Sequence, residues 1–501
     1  MRLVSLSLPA LRRLRDVRIP FDRGAPRVGD SQLDILVGVN GAGKSTVLEA
    51  IGLIFAQLDA GEDVGFPYEI EYELRGNRFR AATEPDGSSV VWRGDGSGAW
   101  HRVRSPGDAL PARIVAYSAG PGRGLAEALA ISTERAIQAD VGDDGIAELP
   151  EEREELLRVA RRSARAAVRA LFVSDAHADC VIAALLVHAA ASADETLRTR
   201  LENLLKRVGL SAPTPARVLS LHLDLAGVGD LSGVAAERLE HLLDQTTRQT
   251  RVEPSGADED SSDERIAVFD LRNGLTRGGL IEQWETPLAF CEELVRWKDR
   301  GILKAAHVVL QSRAGDAMLA TALSDGELLH LARIGLLLML GGAEESVILL
   351  DEPDTHFNSA WKQHLIRDIR DAALAVDGRP HQFVVATHSE LALTDAVAEE
   401  VQWFSVEDGE VVIEEPPVST FAASRLELSQ RLFDVLPVGT FSAGEIDDAL
   451  DDGELTDSER RDRVCELLDV AGPGPYRFLL REELYRLEDA AEDGRGTSDA
   501  V

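Results

Sequence analysis

The stretch "ILVGVNGAGKSTVLEA", residues 35–50, decides the fold. An apolar run leads into a loop with Gly38, Gly41 and Gly43, and Lys44 and Ser45 then complete the spacing GxxxxGK[ST]. Glycines there let backbone N–H groups approach phosphate oxygens. The lysine offsets the charge of the β and γ phosphates, and the serine hydroxyl can bind Mg²⁺. Beyond the loop, Val47, Leu48, Ile51, Ile54, Phe55 and Leu58 recur at three- and four-residue spacing, which predicts an amphipathic helix. Strand, glycine loop and helix follow in the order a phosphate cradle needs, so ATP and Mg²⁺ are the expected ligands.

Three later stretches bear on what the cradle is for. "VILLDEPDTHFN", 347–358, sets Asp351 and Glu352 at the carboxyl end of an apolar strand, where ligands of open α/β sheets bind. Asp351 is expected to hold Mg²⁺ and Glu352 to polarise the attacking water. "ALSDGELLHLARIGLLLML", 322–340, places Ser324 and Gly326 at the start of an apolar helix, whose free N–H groups and dipole suit a γ-phosphate. Taken alone, Ser324 and Glu327 read equally well as a capping box. "VVATHSE", 384–390, puts His388 after another apolar strand, where an imidazole can hydrogen-bond a γ-phosphate.

The rest of the chain arranges itself around these motifs. Residues 1–124 are expected to form the N-terminal part of the head; over 1–120 strand-like alternation, as in "LVSLSL", "VRIPF", "EIEYEL", "RFRAAT" and "SVVWRG", predicts an antiparallel lobe beside the cradle. From 125 to 250 the composition turns rich in Ala, Leu, Arg and Glu, which predicts a helical insertion broken at "SAPTPAR". The acidic "EPSGADEDSSDE" makes 251–265 a linker or an exposed loop, and the α/β core resumes over 266–415. A helical region over 416–488 and a frayed tail over 489–501 complete the expectation. The fold class is α/β, with a core split by an insertion.

In these motifs the chain resembles the ABC-type ATPases of the SMC, RecF and RecN kind. "GVNGAGKST" matches Walker A, "LSDGE" the ABC signature, "LLDEP" Walker B, "DTHFN" the D-loop and "ATHS" the switch histidine. No glutamine matches the family's Q-loop; the strand "ARIVAYSAG" ends near where it is expected and offers Ser118 instead. The resemblance implies nucleotide contacts from Asn40, Gly41, Gly43, Lys44, Ser45 and Thr46 of one head, and from Ser324, Gly326 and Glu327 of a second. Ser45 and Asp351 would hold the metal, and Glu352 and His388 would serve the chemistry. Two heads would thus sandwich two ATP molecules. "LSDGE", "LLDEPDTHFN" and "PGPYRFLLREEL" (473–484) also look like the ATPase subunits of Septu-type and retron-associated anti-phage systems, which accompany a separately encoded HNH nuclease. The alternative is a RecF- or SMC-like head acting directly on DNA in repair or recombination.

Charge bounds the partners. A formal net charge of −34 opposes broad association with nucleic acid or anionic membrane. Any nucleic-acid contact is therefore local, and Arg158, Arg161, Arg162, Arg165 and Arg169 predict a basic stripe on one helix face. Paired with Glu151, Glu154 and Glu155, the same arginines read as a solvated helix face. Three separated cysteines suggest neither a disulfide framework nor a zinc site and fit a cytoplasmic protein. The longest apolar run, "IGLLLMLGG", is too short to cross a bilayer. "DDALDDGE", 447–454, reads as a helix with an acidic end, since no apolar strand precedes it to fix carboxylates around metals.

Overall fold

The computed structural model of the protein describes residues 1–24, 31–104, 106–120, 122–130, 169–189, 195–210, 216–226, 233–252, 263–284, 286–340, 345–374, 380–435, 438–451 and 455–496. The N-terminal third forms β1 (Arg2–Leu11), β2 (Leu14–Pro20), β3 (Gln32–Gly38), α1 (Lys44–Ala60), β4 (Glu69–Leu74), β5 (Asn77–Thr83), β6 (Ser89–Gly94), β7 (Trp100–Arg102) and β8 (Arg113–Ser118). The alternation read in the sequence is the alternation of burial: along β4 Ile70, Tyr72 and Leu74 point inward while the three glutamates stay half-buried. Strands so patterned make a six-stranded antiparallel sheet of order β2-β1-β4-β5-β6-β7.

The middle of the chain supplies β9 (Arg169–Ser174), α2 (Ala178–Ala189), α3 (Glu195–Arg207), β10 (Ala216–Asp224), α4 (Gly233–Asp244), β11 (Arg248–Arg251) and β12 (Glu264–Asp270). It continues with α5 (Gly274–Gln283), α6 (Pro287–Asp299), β13 (Leu303–Gln311), β14 (Ala317–Leu319) and α7 (Asp325–Met339). Then come β15 (Ser346–Asp351), α8 (Leu365–Leu374), β16 (Gln382–Thr387), β17 (Val401–Glu407) and β18 (Glu410–Glu414). The fully apolar runs build a seven-stranded sheet of order β18-β17-β3-β16-β15-β8-β9, parallel except at the β17–β18 hairpin. Helix α1 lies between this sheet and the antiparallel one. Phe55 meets Tyr72 edge-on at 5.3 Å, and Val47, Leu48 and Ile51 share one buried cluster with Leu349 and Val384. The core is thus split in sequence and continuous in space, an α/β head of the expected kind.

Two expectations about the middle segment are corrected. The stretch 125–250 is not a wholly helical insertion: β9 extends the parallel sheet beside β8, and β10 is the centre of a five-stranded antiparallel sheet of order β11-β12-β10-β13-β14. "ARVLSLHLD" buries Leu219, Leu221 and Leu223 on one face, an alternation masked by surroundings rich in helix formers; strand pairing overrides propensity there. Of the two readings of the acidic stretch, linker or exposed loop, the sheet pairing excludes a linker between domains. Residues 253–262 lie outside the described residues, but they join β11 to β12, which are antiparallel neighbours in one sheet.

The chain divides into two compact units, Met1–Ala423 and Ser424–Val501. The second holds α9 (Arg425–Phe433), α10 (Thr440–Asp451), α11 (Asp457–Val470) and α12 (Pro475–Gly496), with Ile446, Val464 and Leu480 as its core. Its final helix runs on to Gly496, so the tail expected from 489 is helical for most of its length. Asp447, Asp448 and Asp451 ride on α10, and Asp452 lies outside the described residues. Among the described residues no helix is long and apolar enough to cross a membrane.

Candidate nucleotide site

Parallel pairing brings the functional strand ends to one edge. In register, Thr387 faces Val37, Asp351 faces Ala386 and Ser118, and Ser118 faces Ser174. The crevice beyond the carboxyl ends of such a sheet is where α/β folds bind ligands.

The loop after β3 is shaped by its glycines. Gly38 has φ +151°, and a Cβ there would lie 2.1 Å from the Phe404 carbonyl oxygen on the neighbouring strand. Gly43 has φ +94° and caps α1, with Leu14 of the antiparallel lobe filling the space a side chain would need. The 17-residue helix α1 carries no acid in its first turn, so its positive end and free N–H groups face the loop. Asn40, Gly41 and Ser45 are exposed and Thr46 is half-buried along this rim. Lys44 is 6% exposed and bridges the loop, its Nζ donating to the carbonyls of Gly38 at 2.8 Å and Val39 at 3.2 Å. Burial lowers its pKa, against the opposing pull of the Glu352 and Asp351 carboxylates.

Opposite stands the end of β15. Ser45 Oγ donates to Asp351 Oδ1 at 2.9 Å, so hydroxyl and carboxylate converge from two elements 306 positions apart. Burial pushes the Asp351 carboxyl up to about 6, with the Ser45 hydrogen bond pulling it down and the neighbouring Glu352 charge adding to the rise. Glu352 turns the chain with φ +51° while its N–H still bonds the Ala386 carbonyl at 2.8 Å. His388 Nδ1 lies 2.5 Å from Glu352 Oε2, and that carboxylate raises the imidazole pKa. Hydroxyl and carboxylate oxygens are the ligands Mg²⁺ prefers, and a lysine within a ring of glycines suits a polyphosphate. The residues present therefore fit Mg–ATP.

Several residues that hold this arrangement escaped the sequence reading. Thr387 Oγ1 donates to the buried Asp354 at 2.7 Å, and Lys362 Nζ pairs with Asp354 at 3.0 Å. Arg333, buried in the middle of α7, donates to the carbonyls of Pro353 and Thr355 and to both carboxylate oxygens of Asp175, at 2.9 and 3.1 Å. Its guanidinium also lies 5.1 Å from the Tyr117 ring and 5.0 Å from that of Phe357. One arginine thus ties α7, the loop after β15, and the ends of β8 and β9. The signal was a lone charge inside "LLHLARIGLLLML".

The signature turn behaves in this chain as a capping box. Ser324 Oγ donates to Glu327 Oε2 at 2.7 Å and the Ser324 N–H bonds the same carboxylate at 2.9 Å. Ser324 remains exposed, and Gly326 packs where a Cβ would lie 2.9 Å from the Trp361 ring. Ser118 is buried at the end of β8. Of the basic stripe, Arg158, Arg161, Arg162 and Arg165 lie outside the described residues. Arg169 starts strand β9, so it does not share a helix face with them; pairing with Arg113 in β8 sets its backbone instead. Among the described residues no group of three or more His, Cys, Asp or Glu side chains could hold a metal ion.

SMC heads are among the solved structures similar to this chain. They include an SMC head bound to the C-winged helix domain of ScpA, at 15% identity and TM-score 0.33 over 83% of this chain and 98% of that one. The SMC head domain from Thermotoga maritima matches at 12% identity and TM-score 0.35 over 83% of this chain and 100% of that one. An SMC head with an extended coiled coil, bound to the C-terminal domain of ScpA from Pyrococcus furiosus, matches at 15% and 0.30 over 83% and 96%. No family model matches the chain, and no curated protein matches it.

Proposed function

We propose that this chain is an ABC-type ATPase that binds and hydrolyses Mg–ATP between two heads. The observation that carries the reading is the convergence of Ser45 Oγ on Asp351 Oδ1 at 2.9 Å, with Lys44 and Glu352 near enough for their charges to act on that carboxylate. Lys44 and the N–H groups of the loop bind and orient the triphosphate. Ser45 and Asp351 hold the divalent cation, which when bound supplies positive charge against the β and γ phosphates. Glu352, fixed at the strand end by its backbone bond to Ala386 and accompanied by His388, accepts the proton of the attacking water. Ser324 and Gly326 would complete the site of a second copy, a reading supported by the exposure of Ser324 and by its hydrogen bonds staying within its own turn.

As an ATPase the molecule does mechanical or regulatory work. The resemblance of "LSDGE", "LLDEPDTHFN" and "PGPYRFLLREEL" supports a sensor and regulator of a separately encoded HNH-type nuclease in anti-phage defence. With a net charge of −34 the chain would steer a basic partner onto itself. The test is twofold. Glu352→Gln should bind ATP and lose turnover, and the parent alone should leave DNA and RNA intact while co-expression with its gene neighbour yields a nuclease-active complex. Parental turnover by the variant would remove Glu352 as the base, and metal-dependent cleavage by the isolated chain would end the division of labour.

A further inference from the structure

Helix α12 carries two apolar stripes where a surface helix needs one. Tyr476, Leu480 and Leu484, at four-residue spacing, pack with Ile446 and Val464 into the core of the second unit. Phe478 and Tyr485, seven positions apart and therefore on one face, point away from that core and are 61% and 65% exposed. Of the ten large apolar side chains exposed among the described residues, six belong to this smaller unit, Val470 at the end of α11 and Leu479 among them. Apolar surface concentrated in this way marks a contact face.

The charges along the same line say what the face takes. Glu482 and Asp489 each follow an aromatic by four positions, so the face reads Phe478, Glu482, Tyr485, Asp489 from its N-terminal end. Both acids are exposed and take no ion pair among the described residues, whereas Glu483 is held by Arg460 and Arg486, and Glu488 by Arg461. From Ser424 to Val501 the sequence has 20 Asp and Glu against nine Arg and no Lys. A second copy laid on this face would set acids against acids, and an anionic membrane would be repelled. We propose that the outward face of α12 receives a Lys- and Arg-rich amphipathic helix of another protein, its apolar stripe on Phe478 and Tyr485 and its cations on Glu482 and Asp489. This needs neither the two-head sandwich nor a nuclease as the partner.

The test uses the full-length chain and a fluorescent peptide of about 18 leucines and lysines, patterned as a helix with leucine along one face. Anisotropy should report binding that weakens with added salt, and hydrogen exchange over 475–489 should slow in the complex. Phe478→Ser/Tyr485→Ser alters only solvent-facing positions, so it should melt and bind ATP as the parent does while losing affinity for the peptide on the order of tenfold or more. Glu482→Lys/Asp489→Lys should lose the peptide as well and capture its leucine–glutamate counterpart instead. Absence of binding, equal binding by parent and both variants, or protection confined to other parts of the chain would overturn the proposal. So would either rival occupant: a nucleotide-free mass that grows with concentration and is corrected by Phe478→Ser/Tyr485→Ser assigns the face to a second copy, and binding to phosphatidylcholine vesicles that the same variant abolishes assigns it to a membrane.

Discussion

Lys44 illustrates how single residues are prepared for a ligand. Its ammonium already bridges two loop carbonyls, so the geometry that greets a triphosphate exists beforehand and little ordering remains to be done. Lys44→Ala should therefore abolish tight ATP binding, and near-parental affinity in a calorimetric titration would sink the assignment. Asp34 carries a different lesson. Burial raises its carboxyl to about 8, although the side-chain amides of Gln382 and Gln32 both donate to Oδ2. A folded pKa above the unfolded one means stability that is full below about pH 4 and is lost as pH rises toward 8. Asp34→Asn removes that titration. Its melting temperature relative to the parent should climb between those limits, by at least about 1 kcal/mol in equivalent stability. A difference that stays flat with pH would contradict the burial argument.

At the scale of elements, helix α7 links the signature turn to the loop after β15 through Arg333. Replacing this buried arginine leaves the carbonyls of Pro353 and Thr355 without its guanidinium and Asp175 with only the Tyr117 hydroxyl. Arg333→Met should cost on the order of 3 kcal/mol in urea unfolding and speed hydrogen exchange over residues 353–357. Unchanged exchange there would show that the loop is held by Asp354 alone. This element also marks what the sequence could disclose. Lys44, Asp351 and Glu352 were legible because phosphate chemistry fixes residue type and spacing, and the apolar strands before them have no other reading. Arg333–Asp175 spans 158 positions, so only the folded sheet edge brings the two together. Strand β10 hid for a related reason: its partners β12 and β13 lie downstream, and local composition spoke for helix.

At the scale of the whole molecule, every residue of the proposed nucleotide site lies in the unit Met1–Ala423, and the helices from Ser424 form a separate unit with a small core of their own. A chain ending at Ala423 should fold and bind ATP with parental affinity, as circular dichroism and titration would report; loss of binding would show that the second unit shapes the site. The central claim concerns two copies. Light scattering of Glu352→Gln, nucleotide-free and with Mg–ATP, tests it most directly, with Ser324→Arg added to the same background as the control. The 54.3 kDa chain should double in mass only with ATP, and the added Ser324→Arg should prevent that doubling. A mass that ignores nucleotide, or a doubling that survives Ser324→Arg, would contradict it.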